Sequence, residues 1–202
     1  MPRIGRAYEV THTLASSRIK VTDFAPEAGI WCSDPRPSRP RPPERTRDLS
    51  DIHARLKERG FRLPEPPKPN GNYLPFVRSG RQVLVAGQTA TRDGVVQYEG
   101  IVGVDLTVSQ AQHAAALCAL NALALAGQAC DGDFDRLRAL RLTGFVRCGP
   151  DFADAPLVMD GASELVVLAL GERGRHVRSA VGVAALPRRS PVEIESTFEV
   201  DE

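Results

Sequence analysis

No apolar run in this chain is long enough to cross a bilayer, and its first residues carry no apolar stretch of the signal-peptide kind. Neither a membrane-spanning protein nor a membrane partner is therefore expected. Charge of one sign is missing too. Lys and Arg number 26 against 25 Asp and Glu, a formal net of +1, so nothing global marks a surface for nucleic acid or anionic lipid. The four cysteines, Cys32, Cys118, Cys130 and Cys148, are scattered without a C-x-x-C pair. That spacing argues against a zinc site or a disulfide frame, and for reduced thiols in a cytoplasmic setting. No Gly-rich run matches a phosphate cradle, and no G-x-S-x-G turn presents a nucleophilic serine. Asp131, Asp133 and Asp135 imitate the opening of a calcium loop, but Arg136 replaces its turn glycine and Leu142 its closing glutamate. No metal and no organic cofactor is expected.

What is present divides in two. Residues 1–49 hold nine Lys/Arg against six Asp/Glu, a local +3, which leaves 17 against 19, or −2, for the remainder. Pro35 to Pro43 reads P-R-P-S-R-P-R-P-P, which favours extended polyproline geometry over helix or central strand. With too few apolar residues for a core, residues 1–49 are read as a disordered Pro/Arg-rich extension, and 50–202 as one folded domain.

Within that domain, Ser50 or Asp51 caps a short helix over 52–59 that stops at Gly60. Leu63 to Asn72 is Pro-rich and extended. Gln82 to Ala86 alternates as a strand into Gly87-Gln88, and Arg92-Asp93-Gly94 makes a hairpin turn into a strand over 95–104. Thr107 and Gln110 fit a capping box for a long Ala/Leu helix that ends near Gly127, with Leu117, Leu120 and Leu125 on its apolar face. Leu137 to Arg147 alternates as a strand. Asp154 and Pro156 open a second helix lined by Val158, Ala162, Leu165 and Ala169, which ends at Gly171 and Gly174. The order predicts an α+β domain, a mixed sheet with two helices packed on one face.

The last stretch, Arg178 to Val200, reads as two strands joined by a turn at Pro187. Val192, Ile194, Phe198 and Val200 recur at period two, with Glu193, Glu195, Thr197 and Glu199 between them. Arg178-Ser179-Ala180-Val181, then Leu186-Pro187, then Val192-Glu193-Ile194-Glu195 resembles the closing signature of the RidA/YjgF family, also called endoribonuclease L-PSP or chorismate-mutase-like. Asn72-Tyr73-Leu74-Pro75 and Gly87-Gln88 resemble further family motifs, and the resemblance covers about 50–202. It implies a chorismate-mutase-like fold, a homotrimer with ligand clefts between subunits, and hydrolysis of 2-imino acids to 2-keto acids.

The resemblance assigns roles that the side-chain chemistry supports. The planar fork of Arg178 matches a carboxylate, and the family's matching arginine holds the substrate carboxylate; an interface salt bridge is the structural alternative. The family's matching glutamate orients water, a task for Glu193 if a half-dry cleft raises its pKa, although Glu193 also reads as part of a solvated strand face. Tyr73 and Gly87 are expected to line the cleft, or simply to pack and to end a strand. Ala180 is expected to present its backbone carbonyl. His176, two residues before Arg178, is a candidate second acid or base. Asp160 stands where many deaminases carry asparagine, and a carboxylate there opposes an acidic substrate. The stretches Thr143 to Val146, Pro150 to Phe152 and Gly161 to Ser163 resemble a subgroup with the family pocket but no secure activity. The competing functions are thus a deaminase, a non-catalytic trimer binding a small carboxylate or a protein, and, last because the domain is net −2, an RNA-cleaving enzyme.

Overall fold

Thr107 shows how directly this sequence sets its local structure. Its hydroxyl accepts from the Gln110 amide at 3.2 Å while its own N–H donates to Gln110 Oε1 at 2.9 Å, the reciprocal cap that the sequence predicts. The computed structural model describes residues 52–69 and 71–202, so the expectations for residues 1–49 lie outside the described residues. Its helices are α1 (Ile52–Glu58), α2 (Val108–Gln128) and α3 (Ala155–Leu170). Its strands are β1 (Phe76–Ser79), β2 (Gln82–Thr89), β3 (Thr91–Arg92), β4 (Val95–Val96), β5 (Leu137–Arg147), β6 (Val177–Val183) and β7 (Val192–Val200).

Five strands form one sheet in the order β1-β2-β7-β5-β6, while β3 and β4 pair by themselves. Only the β5–β6 pair in the larger sheet is parallel, joined through α3 as a β-α-β unit. α2 and α3 cover one face of the sheet, as predicted, and α1 adds a third helix against α3, where Arg55 Nη2 donates to the Ala169 carbonyl at 2.5 Å.

Four local expectations are corrected. The closing strands do not form a hairpin: β5 lies between β6 and β7, because the chain leaves β6 at the sheet edge and returns past β5. The stretch 95–104 is not one strand; pairing stops after Val96, and an irregular turn follows. Gly127 is not a C-cap. α2 continues to Gln128, and Gly127 is there because the Phe134 ring packs where a Cβ would stand. Finally, α2 has no single apolar stripe. Ala114 to Gly127 are all buried, since the sheet lies beneath this helix and α3 beside it.

Alternation in the strands divides the sheet cleanly. Val192, Ile194, Phe198 and Val200 are fully buried under the helices, with Leu142 and Val146 of β5. The register puts Glu193, Glu195 and Thr197 on the other, uncovered face with Phe145, Thr143 and Arg141. Leu84 and Val181 share that face at 43% and 45% exposure. Sheet faces of this size bearing apolar side chains normally meet a partner.

Candidate active site

Two separate clusters contain the residues singled out in the sequence. The first sits on the helix side of the edge strand β6. Arg178 is in register with the buried Leu142, and its side chain therefore reaches up to α3. Nη1 donates to Asp160 Oδ1 at 2.9 Å and to Ser163 Oγ at 3.0 Å, and Nη2 donates to the Pro156 carbonyl at 3.1 Å. Helical geometry brings these three together: positions 156, 160 and 163, spaced by four and three, share one face of α3. A guanidinium has five N–H groups, so Nε–H and one Nη2–H remain unengaged. Ala180 follows two residues on, with its side chain on the same side of the strand and in register with Gly144.

His176 extends this network. Its Nδ1 lies 2.7 Å from the Gly174 carbonyl, which only accepts, so Nδ1 carries the proton. Nε2 then accepts from the Ser163 hydroxyl at 3.1 Å, and that hydroxyl's lone pairs face Arg178. In this arrangement His176 orients the Ser163 hydroxyl that accepts from Arg178. Sequence reasoning missed Ser163 and the Pro156 carbonyl, although their i, i+4 and i+7 relation to Asp160 and the His176/Arg178 alternation signalled a common face.

The second cluster occupies the uncovered face. Glu193 lies over Gly87, where the chain bulges between Val85 and Gln88; a Cβ at position 87 would stand 2.9 Å from Glu193 Cδ. Asn121 of α2 holds the end of this bulged strand, donating to the Thr89 and Thr91 carbonyls at 3.1 and 3.0 Å. Burial raises the Glu193 carboxyl above the usual glutamate range, with the neighbouring Glu195 charge adding to the effect. Its oxygens have no hydrogen-bond partner among the described residues. Tyr73, half exposed at 49%, joins Gly87 and Gln88 around a cavity of about 40 Å³ whose lining does not include Glu193. That volume holds about one water molecule and is too small for a keto acid.

The two clusters do not meet within one chain. Glu193 is in register with Phe145 and, through it, with Val181, three residues along β6 from Arg178. One strand separates β7 from β6, so the offset is roughly 10 Å across the sheet and roughly 10 Å along it, on opposite faces. Because β5 intervenes, the last two strands do not bring these two side chains together in a single chain. A hollow of about 690 Å³ opens between Phe61, α2 and α3, and of the Arg178 network only Ser163 lines it.

The family model described as "YjgF/chorismate_mutase-like, putative endoribonuclease" matches residues 53–194. The chain belongs to this family. Protein TCP17 of Trypanosoma cruzi is 40% identical over 152 residues, which is 74% of this chain and 94% of that protein. A protein of unknown function from Agrobacterium tumefaciens is 45% identical, covers 75% of this chain and 94% of its own, and superposes with a TM-score of 0.70. A Shewanella oneidensis protein described as "a putative endoribonuclease" is 34% identical over 74% of this chain and 99% of its own, also with a TM-score of 0.70. The YjgF-type fold expected from the closing signature is thus confirmed. Among the described residues of this YjgF-type domain, no helix is long and apolar enough to cross a membrane, and no three His, Cys, Asp or Glu side chains gather as metal ligands.

Proposed function

We propose that this YjgF-type protein hydrolyses 2-imino acids to 2-keto acids and ammonia, in a site assembled between copies of the chain. The observation that carries this reading is the complementarity of the two clusters. Arg178 offers two unengaged donors at the sheet edge, which suit a carboxylate. Glu193, with no hydrogen-bond partner among the described residues and raised in pKa by burial, packs against Gly87, which lines a water-sized cavity, on a sheet face that no described helix covers. Only a neighbouring copy brings one chain's Arg178 to another's Glu193, and a homotrimer, the assembly its family resemblance implies, does so three times over.

The chemistry balances without a cofactor. A protonated 2-imino acid binds through its carboxylate to Arg178. Water, held by Glu193, adds to the iminium carbon; a C–O bond forms and the C=N π electrons move to nitrogen. Glu193 takes one water proton and returns it to the nitrogen. The hydroxyl oxygen's lone pair then forms the C=O bond as the C–N bond breaks, Glu193 accepts the hydroxyl proton and passes it to the departing ammonia, and ammonium and a 2-keto acid remain. Tyr73 and Gly87 border the water, and Ala180 continues the wall beside Arg178. A carboxyl raised above its usual range is a stronger base than an ordinary glutamate, which suits a group that must accept a water proton.

Hydrolysis of enzymatically generated 2-aminoacrylate, followed for the native protein and Arg178→Ala, tests this. Loss of at least about 100-fold in rate is expected when the anchoring contact disappears from substrate and transition state alike. Equal rates would remove Arg178 from the mechanism. A second reading, a non-catalytic trimer that binds a small carboxylate or a protein partner, is favoured by Asp160, whose pairing with the arginine counts against turnover of an acidic substrate. Thermal stabilisation by keto acids without turnover of any imine would support it. Cytoplasmic residence follows from the reduced-thiol reading of the cysteines and belongs to the same proposal.

A further inference from the structure

We propose that Asp160 makes the Arg178 site selective for zwitterionic 2-amino and 2-iminium acids over anionic 2-keto acids. This rests on the reading of Arg178 as the carboxylate anchor, and it names the charge pattern that the anchor accepts.

The arginine is not a lone cation. Asp160 Oδ1 sits 2.9 Å from Nη1, so the site is an ion pair with no net charge. Both members have capacity to spare. Arg178 keeps Nε–H and one Nη2–H, and the second Asp160 oxygen has no partner among the described residues. Asp160 is also the more open of the two, at 41% side-chain exposure against 23%. A ligand that takes the free donors of Arg178 therefore binds a guanidinium whose charge is already shared with the Asp160 carboxylate.

A 2-keto acid brings a single negative charge to this pair. Attraction to Arg178 is opposed by repulsion from Asp160, and little net Coulomb gain is left. A 2-amino or 2-iminium acid carries its cationic nitrogen one carbon from its carboxylate. Each of its charges then meets an opposite one, as adjacent charges in the ligand match charges in contact in the protein. The carboxylate also favours the protonated form of the bound imine, which is the electrophile that water attacks. Hydrolysis removes the nitrogen and leaves an anion, so the product loses the contact with Asp160 that held the substrate.

Pyruvate and L-alanine share a three-carbon skeleton and differ in this charge, which makes them suitable probes. Their affinities are measured by NMR titration on the full chain as native protein, Asp160→Asn and Arg178→Ala, each checked by thermal melt for folding. Asparagine keeps an oxygen that accepts from Arg178, so the network persists without its negative charge. The native protein should bind alanine roughly tenfold more tightly than pyruvate, and Asp160→Asn should reverse that order, the size expected for one unit charge near the surface. Arg178→Ala should lose both ligands. Equal affinities in the native protein, or an unchanged ratio in Asp160→Asn, overturn the role of Asp160 while Arg178→Ala still reports on the anchor. Undiminished binding to Arg178→Ala, or no binding of either probe to native protein, removes the anchor and this inference with it.

Discussion

Replacing Gly161 by alanine tests whether the distance between α2 and α3 sets the geometry of the Arg178 network. Gly161 lies in the interior of α3, next to Asp160 and two residues before Ser163. In an exposed helix the exchange would stabilise by about 1 kcal/mol through helix propensity alone. Here a Cβ would stand 2.7 Å from the Gln112 carbonyl carbon and 2.9 Å from its Cα, and closer still to the carbonyl oxygen. Ordinary contact begins near 3.4 Å, so the α2 backbone must retreat by about 0.7 Å at that carbon and by about 1.3 Å at the carbonyl oxygen, which sets the movement. No rotamer relieves this, because the obstacle is helix backbone. The same retreat strains the bond from Gln112 Nε2 to the Leu157 carbonyl, now 2.9 Å. Overpacking against such a wall costs about 3 kcal/mol, which against the propensity gain leaves a net loss of about 2 kcal/mol. For a domain of this size that is a drop in Tm on the order of 4–8 °C. Urea unfolding at fixed protein concentration, read as a shift in midpoint at constant slope, measures it. A variant as stable as the native protein, or more so, would refute the claim that this glycine exists for close helix approach.

Two further outcomes follow from the uncovered sheet face. Burial raises the Glu193 carboxyl, so its favourable contribution is complete below the ordinary glutamate pKa of about 4.3 and is lost as pH rises through its folded value. Glu193→Gln should therefore be more stable than the native protein at neutral pH and imine-inactive, with the stability difference closing in acid; a loss at neutral pH would mean that a cation pairs with Glu193 in the assembly. Val181→Asp, placed on an exposed apolar position of β6, should convert the proposed homotrimer into species of the chain's own 21.9 kDa mass by sedimentation, and an unchanged sedimentation coefficient would exclude this face as the assembly surface.

Some elements were legible because their signals are local. The Thr107–Gln110 cap depends on four consecutive residues, and the burial of Val192, Ile194, Phe198 and Val200 depends on the two-residue period of a strand. The stop after Val96 was not legible, since β-branched residues continue past it while the partner strand β3 is only two residues long. Gly127 was misread for a related reason: a glycine near a helix end suits a cap, and only the distant Phe134 ring gives it another purpose.

The sequence by itself determined the family, the alternation that separates Glu193 from the buried side of its own strand, and the residue types each role requires. Composition, capping and strand period act between near neighbours, so they survive being read one residue after another. Only the tertiary structure decided that β5 inserts between the two closing strands, that Arg178 is already paired with Asp160, and that Glu193 lies on the opposite face. Those are choices of pairing partner and crossover path. They are fixed by packing α2 and α3 against the sheet, and no spacing along the chain records them.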